Sequence, residues 1–330
     1  MTIKYNNVYL NETSTVAGKF EKEGPLKQYY DKTYDDFYIG EDTYEQAEIK
    51  MITDNVDILL KKANLKKTDI DLFIAGDLLN QITPSSYAAE RLGINYLGVY
   101  GACSMTALTM IIGASMLQNK EINNCICSTS SNNSAAEKQY RNPTEYGTPK
   151  PPTSTFTATG CGSALLSKNK SNIKIESVTI GKTIDYGVNN VYHMGAAMAP
   201  SASYTLGTHL KDLNRTPDYY DLIVTGDLGV YGKQILTELM EKEHKIKLGK
   251  NYDDCGCMIY DLNNQDVKAG ASGPTSSALV TYGYIVNQMK KGVYKKVLLV
   301  ATGALMSPTM MNQKLTIPAI SHAVSLEVVK

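Results

Sequence analysis

The stretch DIDLFIAGDL, residues 69–78, recurs as YYDLIVTGDL at residues 219–228. Each copy consists of a polar turn, a short apolar run and then Gly-Asp-Leu. Short apolar runs that are bounded by Gly and Asp are typical of buried strands. The recurrence in both halves of the chain indicates a duplication.

A second pair of segments extends the repeat. Residues 101–131 read GACSMTALTMIIGASMLQNKEINNCICSTSS, and residues 270–304 read GASGPTSSALVTYGYIVNQMKKGVYKKVLLVATGA. Both pass from small residues into a helix-like apolar pattern, a polar turn and a second apolar strand. Parallel strands need crossover helices, so each half is predicted to be a doubly wound α/β unit. We place the boundary within residues 168–172, which gives an N-terminal half of 1–170 and a C-terminal half of 171–330.

The composition excludes several classes of protein. Among 330 residues, 33 are Lys or Arg and 33 are Asp or Glu, so the net charge is zero. A nucleic-acid surface usually needs a basic excess, and none is expected here. No apolar run reaches the roughly 18 residues of a membrane span. The N-terminus lacks the apolar region of a signal peptide, so we expect an intracellular protein with reduced cysteines.

Two cysteine pairs raise the question of a metal site. Cys125 alternates with Cys127, and Cys255 alternates with Cys257, in what the pattern predicts to be strands. Neither spacing is the two-residue gap of a zinc knuckle. Free cysteine behaves as a small buried hydrophobe, so we interpret both pairs as core residues and expect no bound metal.

Cys103 lies in YGACSMTA, residues 100–107, where the small-residue segment is predicted to open a helix. The positive end of a helix dipole lowers the pKa of a thiol and equally favours a bound anion. From its position alone, Cys103 could be a nucleophile or a packing residue.

Two longer segments are PSSYAAERLGINYLGVYGACSMTALTMIIGASML (84–117) and TATGCGSALLS (157–167). They resemble the thiolase superfamily, and especially its ketoacyl synthase III branch, where Cys103 takes the place of the acyl-accepting cysteine. The resemblance implies a five-layered α/β/α/β/α fold of two duplicated halves. It also implies a homodimer, in which the strand after the nucleophile helix, here CICSTSS (125–131), pairs across the interface.

The same resemblance shows which catalytic partners are missing. Condensing enzymes carry a His after the strand equivalent to DLIVTG, where this sequence has Asp227. They carry an Asn or a second His in the loop equivalent to GASGPTSSA, which has neither. A Claisen condensation needs neutral donors for an enolate oxygen, and an ionised Asp would repel it. Condensation is therefore not expected.

Four further segments are EKQYRNPTEYGTPKPPT (137–153), MGAAMAPSA (194–202), DDCGCMIYDLNNQDVKAGASG (253–273) and VATGALMSPTMMNQKLTIPAISHA (300–323). They resemble a non-condensing branch, the stage V sporulation protein AD family of endospore-forming bacteria. The resemblance implies a non-catalytic protein that binds dipicolinic acid, pyridine-2,6-dicarboxylate. It would support uptake of this compound into the developing spore with membrane-embedded SpoVA partners.

The resemblance also implies a location at the periphery of the spore inner membrane. It implies no cofactor, although calcium could accompany the ligand as its chelate. Two alternatives stay open: an acyltransferase or ketoacyl synthase that acts on coenzyme A thioesters through Cys103, and a structural subunit of a spore membrane assembly.

Candidate ligand-binding residues follow from the repeat, the resemblance and the chemistry of a dicarboxylate. They are Cys103, Arg141, His193, Asp227, Ser272, Gly273, Thr275 and His322. For His193 and His322 the competing interpretation is a core histidine. The paired Asp77 and Asp227 are expected to cap the next helix or turn, although Asp227 could instead face the ligand. Arg141 and Lys150, in the proline-rich connection, could be solvated, while Arg141 could pair with a carboxylate. His209 and His244 are expected to be solvated.

Overall fold

A computed structural model describes residues 1–329 of the chain. Over these residues, the strands are β1 (Thr2–Lys4), β2 (Tyr9–Ala17), β3 (Lys32–Thr33), β4 (Leu72–Gly76), β5 (Tyr96–Gly98), β6 (Asn124–Ser131), β7 (Phe156–Thr157), β8 (Gly160–Ser167), β9 (Ile173–Ile180), β10 (Leu222–Thr225), β11 (Tyr252–Asp254), β12 (Ala271–Ser272), β13 (Lys296–Ala304) and β14 (Ala319–Val328).

The α-helices are α1 (Lys19–Lys22), α2 (Tyr44–Ala63), α3 (Thr83–Leu92), α4 (Met105–Met116), α5 (Asn133–Tyr140), α6 (Met194–Asp212), α7 (Gly229–His244), α8 (Cys255–Met258), α9 (Pro274–Ala278), α10 (Val286–Lys290) and α11 (Pro308–Asn312). A π-helical stretch, Leu279–Ile285, joins α9 to α10. Within the described part of the chain, no helix is both long enough and apolar enough to cross a bilayer.

The two halves have the same strand order. The N-terminal half runs β5-β4-β6-β8-β2, and the C-terminal half runs β11-β10-β13-β14-β9. In each half, the first three strands in this order are parallel and the last two are antiparallel to their neighbours. The halves join where β2 pairs with β9. The predicted duplicated α/β fold is therefore confirmed, while the exact boundary at residue 170 stays a prediction.

Three hydrophobic clusters separate five layers. One lies between the outer helices α2 and α3 and the N-terminal half sheet, with Phe73 and Ile126 at its centre. Another lies between α6, α7 and the C-terminal half sheet. The largest lies between the two half sheets and contains α4 and the segment 274–290. Strand alternation explains the division, because Ile74 belongs to the central cluster and its neighbour Phe73 to the outer one.

Small residues let the central helix α4 lie close to the sheet. A side chain added at Gly113 would have its Cβ 2.6 Å from Sγ of Cys127 on β6. Ala107 and Ala114 on the same helix are fully buried. This close packing fixes α4, and therefore the turn that carries Cys103, against the strands.

Two expectations about strands are wrong. CICSTSS cannot pair across a dimer interface, because β6 lies inside the sheet with β4 on one side and β8 on the other. The strand of this half with a free edge is β5. Cys255 and Cys257 belong to the short helix α8 and not to a strand.

His209, which we expected to be solvated, is fully buried on α6. Its Nδ1 and Nε2 atoms each lie 2.7 Å from a hydroxyl, of Thr179 and Tyr220 respectively. Burial lowers the pKa of His209 to about 4. The buried face of α6 is therefore wider than the polar residues in its sequence predicted.

Candidate functional site

A cleft of about 490 Å³, including its part open to solvent, lies between the two halves. Its apolar walls are formed by Leu78, Ala136, Met194, Met198, Ala304 and Met306. Its polar groups are Tyr100, Cys103, Tyr140, Arg141, Thr157, Asp227, Ser272 and Gly273. A mostly apolar cavity with a few convergent polar groups is the usual form of a small-molecule site.

Cys103 lies on a 3-10 turn, Ala102–Ser104, that runs directly into α4. Ala102 has a φ of +49°, a conformation that is strained for a residue with a side chain. The turn lies tight against β13, because a Cβ added at Gly303 would lie 2.4 Å from the carbonyl oxygen of Gly101. Tight packing against β13 thus holds this strained turn in place, and with it Cys103 at the floor of the cleft.

The chemistry around Cys103 does not favour a thiolate. Burial is the main cause that raises the pKa of the Cys103 thiol well above its usual value, and the neighbouring Asp227 raises it further. Reactive cysteines have lowered pKa values in electropositive surroundings. The thiol is therefore protonated at neutral pH in this structure.

Asp227 follows β10, and its side chain is almost completely buried at the wall of the cleft. Its Oδ1 accepts a hydrogen bond from the Thr302 hydroxyl at 2.6 Å, and its Oδ2 accepts one from the backbone N–H of Gly273 at 2.9 Å. Burial outweighs these bonds and raises the pKa of Asp227 to about 7. This carboxyl consequently changes charge near neutral pH.

The two repeated aspartates have different roles. Asp77 accepts bonds from the backbone N–H of Leu79 and from both the N–H and hydroxyl of Ser85, which confirms its predicted capping role. After Asp227, the N–H groups of Leu228 and Gly229 donate instead to Asp254. Asp227 thus caps neither a helix nor a turn, and its side chain lines the cleft.

Arg141 follows the last residue of α5 and is nearly buried, with 8% of its side chain exposed. Its Nη1 donates to Glu137 at 2.6 Å and its Nε donates to the Val191 carbonyl at 3.1 Å. Its Nη2 has no hydrogen-bond partner among the described residues, although the side chain lines the cleft. A guanidinium with an unused donor is suited to a planar carboxylate.

Ser272 and Gly273 reach the cleft from the loop between β12 and α9. Gly273 has a φ of +90°, and this left-handed conformation turns its N–H toward Asp227. Five of the eight predicted residues therefore meet in one cleft: Cys103, Arg141, Asp227, Ser272 and Gly273.

The other three predicted residues lie outside the cleft. Thr275 is fully buried, and its hydroxyl bonds to Ser131 and to the Gly160 carbonyl. His193 is the N-cap of α6, where its Nδ1 accepts from the N–H of Ala196 at 3.4 Å. His322 is buried on β14, and burial lowers its pKa to about 4. Each of these side chains serves packing or a local turn.

The sequence alone did not identify the tyrosine and methionine side chains that line the cleft. Tyr100 and Tyr140 meet at the cleft, with their hydroxyl oxygens 3.1 Å apart. Met194 and Met198 lie one turn apart on α6, within the quoted segment MGAAMAPSA, and both line the cleft. Their helical spacing was the signal that could have identified them.

Among the residues that the structure describes, no group of three or more His, Cys, Asp or Glu side chains could hold a metal ion. The four cysteines considered for a metal site do not come together as ligands. Cys125 and Cys127 are buried in the central cluster.

Comparison with known proteins identifies the relatives of this chain. The family model for Stage V sporulation protein AD (SpoVAD) matches residues 1–327. Stage V sporulation protein AD of Bacillus subtilis (strain 168) is 45% identical over 320 residues, which cover 97% of this chain and 94% of that protein.

Solved structures share the fold at low identity. 3-oxoacyl-[acyl-carrier-protein] synthase III from Aquifex aeolicus VF5 has a TM-score of 0.56 and 13% identity, with 97% of each chain covered. Cerulenin-bound Xanthomonas campestris OleA has a TM-score of 0.62 and 14% identity, with 98% of this chain and 100% of that chain covered. These likenesses establish the thiolase-like fold.

Proposed function

The chain belongs to the stage V sporulation protein AD family, and we propose that its cleft binds dipicolinic acid without catalysing a reaction. In this role the protein supports dipicolinate uptake into the developing spore. The ligand is a flat aromatic ring with two carboxylates, and the proposal rests on how the cleft matches that shape and charge.

Arg141 is the observation that carries the proposal. It presents an unpartnered Nη2 donor from a side chain that is otherwise held rigid by Glu137 and Val191. A bond from this group to a ligand carboxylate needs little further ordering of the side chain, so more of its energy is available for binding.

The rest of the cleft accommodates an anionic ring. Met194, Met198 and Met306 offer polarizable, adaptable surfaces to an aromatic face. Below about pH 7 Asp227 is neutral and does not repel the ligand. The start of α4 at Cys103 adds positive potential from the helix dipole.

Absence of catalysis is part of the proposal. Asp227 stands where condensing enzymes carry a His, and the thiol of Cys103 has a raised pKa. Both features oppose thioester chemistry, which needs a thiolate and neutral donors for an oxyanion.

Calcium, partners and location belong to the same proposal. Calcium would travel as the chelate of the ligand, with its coordination completed by the ligand and water. SpoVA membrane proteins would supply the attachment to the spore inner membrane. We propose a homodimer as the working assembly.

Calorimetry with dipicolinate, with and without calcium, tests the binding. We expect saturable heat for the wild type and about a tenfold to hundredfold loss of affinity for Arg141→Gln, since a hydrogen bond from a charged group contributes about 1.5–3 kcal/mol. Arg91→Gln is the matched control, because Arg91 is exposed on α3 and lies outside the cleft. No heat at millimolar dipicolinate in either condition would refute the proposal.

The ketoacyl synthase alternative is supported by the position of Cys103 before α4 and by the shared fold. Incubation with acetyl coenzyme A followed by intact-mass measurement tests it. A stable mass gain that disappears in Cys103→Ala would favour an acyltransferase.

A further inference from the structure

A second cavity of about 500 Å³, including its part open to solvent, lies beside the cleft and is lined largely by the proline-rich connection 141–152. Arg141 lines both cavities, whereas Cys103 and Asp227 line only the first. The second cavity is therefore a separate space that shares one wall with the cleft.

The charges in this second cavity do not balance. Glu137, whose side chain is 2% exposed, pairs with Arg141 at 2.6 Å and with Lys150 at 3.0 Å. Glu137 is the one acidic side chain among the described residues that line the cavity. Two cations facing one carboxylate leave a surplus of one positive charge.

Lys150 also has unused hydrogen-bonding capacity. An ammonium group has three donors, and Glu137 is the one described partner of Lys150. The hydroxyls of Thr148 and Tyr192 line the same cavity and donate no hydrogen bond to the described residues. Ammonium, guanidinium and hydroxyl donors around a concave surface are the groups that recognise an oxyanion.

We propose that the second cavity binds a phosphate or carboxylate group between Lys150 and Arg141. The burial of Glu137 explains why two cations are held there, and the surplus charge explains why the bound group is an anion. Arg141 lines both cavities, whereas Lys150 lines only the second one, so Lys150 distinguishes this inference from dipicolinate binding in the first cleft.

Anion titrations test the proposal. Sodium phosphate and sodium acetate are titrated separately into the full chain at pH 7, against sodium chloride at matched ionic strength. We expect saturable heat with at least one of the two oxyanions, and the responding salt identifies the group as phosphoryl or carboxylate. No saturable heat with either, or the same response to chloride, overturns the proposal.

Substitutions locate the bound anion. Lys150→Gln should weaken its binding at least tenfold, and Lys150→Arg should retain it because the charge is kept. Lys268→Gln is the matched control, since Lys268 pairs with Asp266 at 2.5 Å outside this cavity. Unchanged oxyanion binding in Lys150→Gln contradicts the assignment.

The two proposals fail in different ways. Lys150 does not line the first cleft, so dipicolinate should bind Lys150→Gln as it binds the wild type. A protein that binds phosphate without dipicolinate refutes only the proposed function. One that binds dipicolinate, with neither phosphate nor acetate giving saturable heat, refutes only the second site.

Discussion

The hydroxyl of Thr302 donates a 2.6 Å hydrogen bond to Oδ1 of Asp227 and so ties β13 to the loop after β10. With Gly273 bonding the other oxygen, the carboxyl has a fixed place in the cleft. Its pKa of about 7 makes this contact sensitive to pH around neutrality.

Dipicolinate affinity should therefore fall as pH rises from 6 to 8. Ordinary carboxylic acids are already ionised in this range, so the ligand charge is constant while Asp227 gains a negative charge. Repulsion should weaken binding by on the order of tenfold. Asp227→Asn should bind with nearly the same affinity at both pH values, and calorimetry at pH 6 and pH 8 measures both proteins. A wild-type affinity that does not change contradicts the role given to Asp227.

Substitutions at Cys103 should show whether ligand binding depends on the size of this side chain or on its sulfur atom. Cys103→Ser is close in size and should bind dipicolinate much as the wild type does. Cys103→Trp should abolish binding because the larger side chain fills the floor of the cleft. Calorimetry on both variants, with circular dichroism to verify folding, checks this. Loss of binding in Cys103→Ser would instead assign a direct role to the sulfur.

Gly303→Ala should destabilise the protein. The added Cβ would lie 2.4 Å from the Gly101 carbonyl oxygen, so β13 and the turn before α4 must separate. Overpacking of this kind lowers the free energy of unfolding by about 1–3 kcal/mol. Urea denaturation measures the change.

Gly249→Ala is the control for that experiment. Its Cβ would meet only the end of the Asn251 side chain, at 3.0 Å, which can move aside. Equal stability losses in the two variants would contradict the close approach described at Gly303.

Glu21 should make the stability depend on pH. Its carboxyl is fully buried, accepts a hydrogen bond from the backbone N–H of Thr159 at 3.0 Å, and has a pKa raised by burial to about 7. The folded state keeps a proton that the unfolded chain loses above about pH 4.5, so this stability is lost as pH rises through 7. Glu21→Gln removes the titration. The free energy of unfolding of the wild type, relative to this variant, should fall by about 2 to 3 kcal/mol between pH 5 and pH 8.

Urea denaturation at the two pH values provides the measurement. Glu90→Gln, at an exposed position on α3, is the control and should follow the wild type. A difference between the wild type and Glu21→Gln that stays constant with pH would show that the buried carboxyl does not titrate in this range.

The fold could be predicted because the two copies of the repeat are short, continuous stretches of sequence with the same pattern of residues. DIDLFIAGDL and YYDLIVTGDL each form a buried strand that ends beside an aspartate, and apolar patterning alone identifies such strands. Strand neighbours could not be predicted in the same way. The uncharged segment CICSTSS resembles an interface strand, yet a sheet interior requires the same lack of charge.

The location of Cys103 and Asp227 at one cleft could be predicted, because it follows from their positions in the fold. Side-chain contacts could not be predicted where long-range packing decides them. His209 lies in a stretch with polar residues, but Thr179 on β9 and Tyr220 after α6 contact both of its ring nitrogens. The change of capping from Asp227 to Asp254 likewise depends on contacts that the local sequence does not contain.

The shared strand order of the two halves has a consequence for symmetry. Two identical halves would present matching walls to a ligand, but Cys103 lies opposite a loop with Ser272, and Asp77 is occupied by capping while Asp227 is not. The two halves thus surround the cleft with pseudo-twofold symmetry, and single side chains break that symmetry. A ligand with two equivalent ends becomes inequivalent on entering it, and its paired ring protons should give two separate resonances in the bound state.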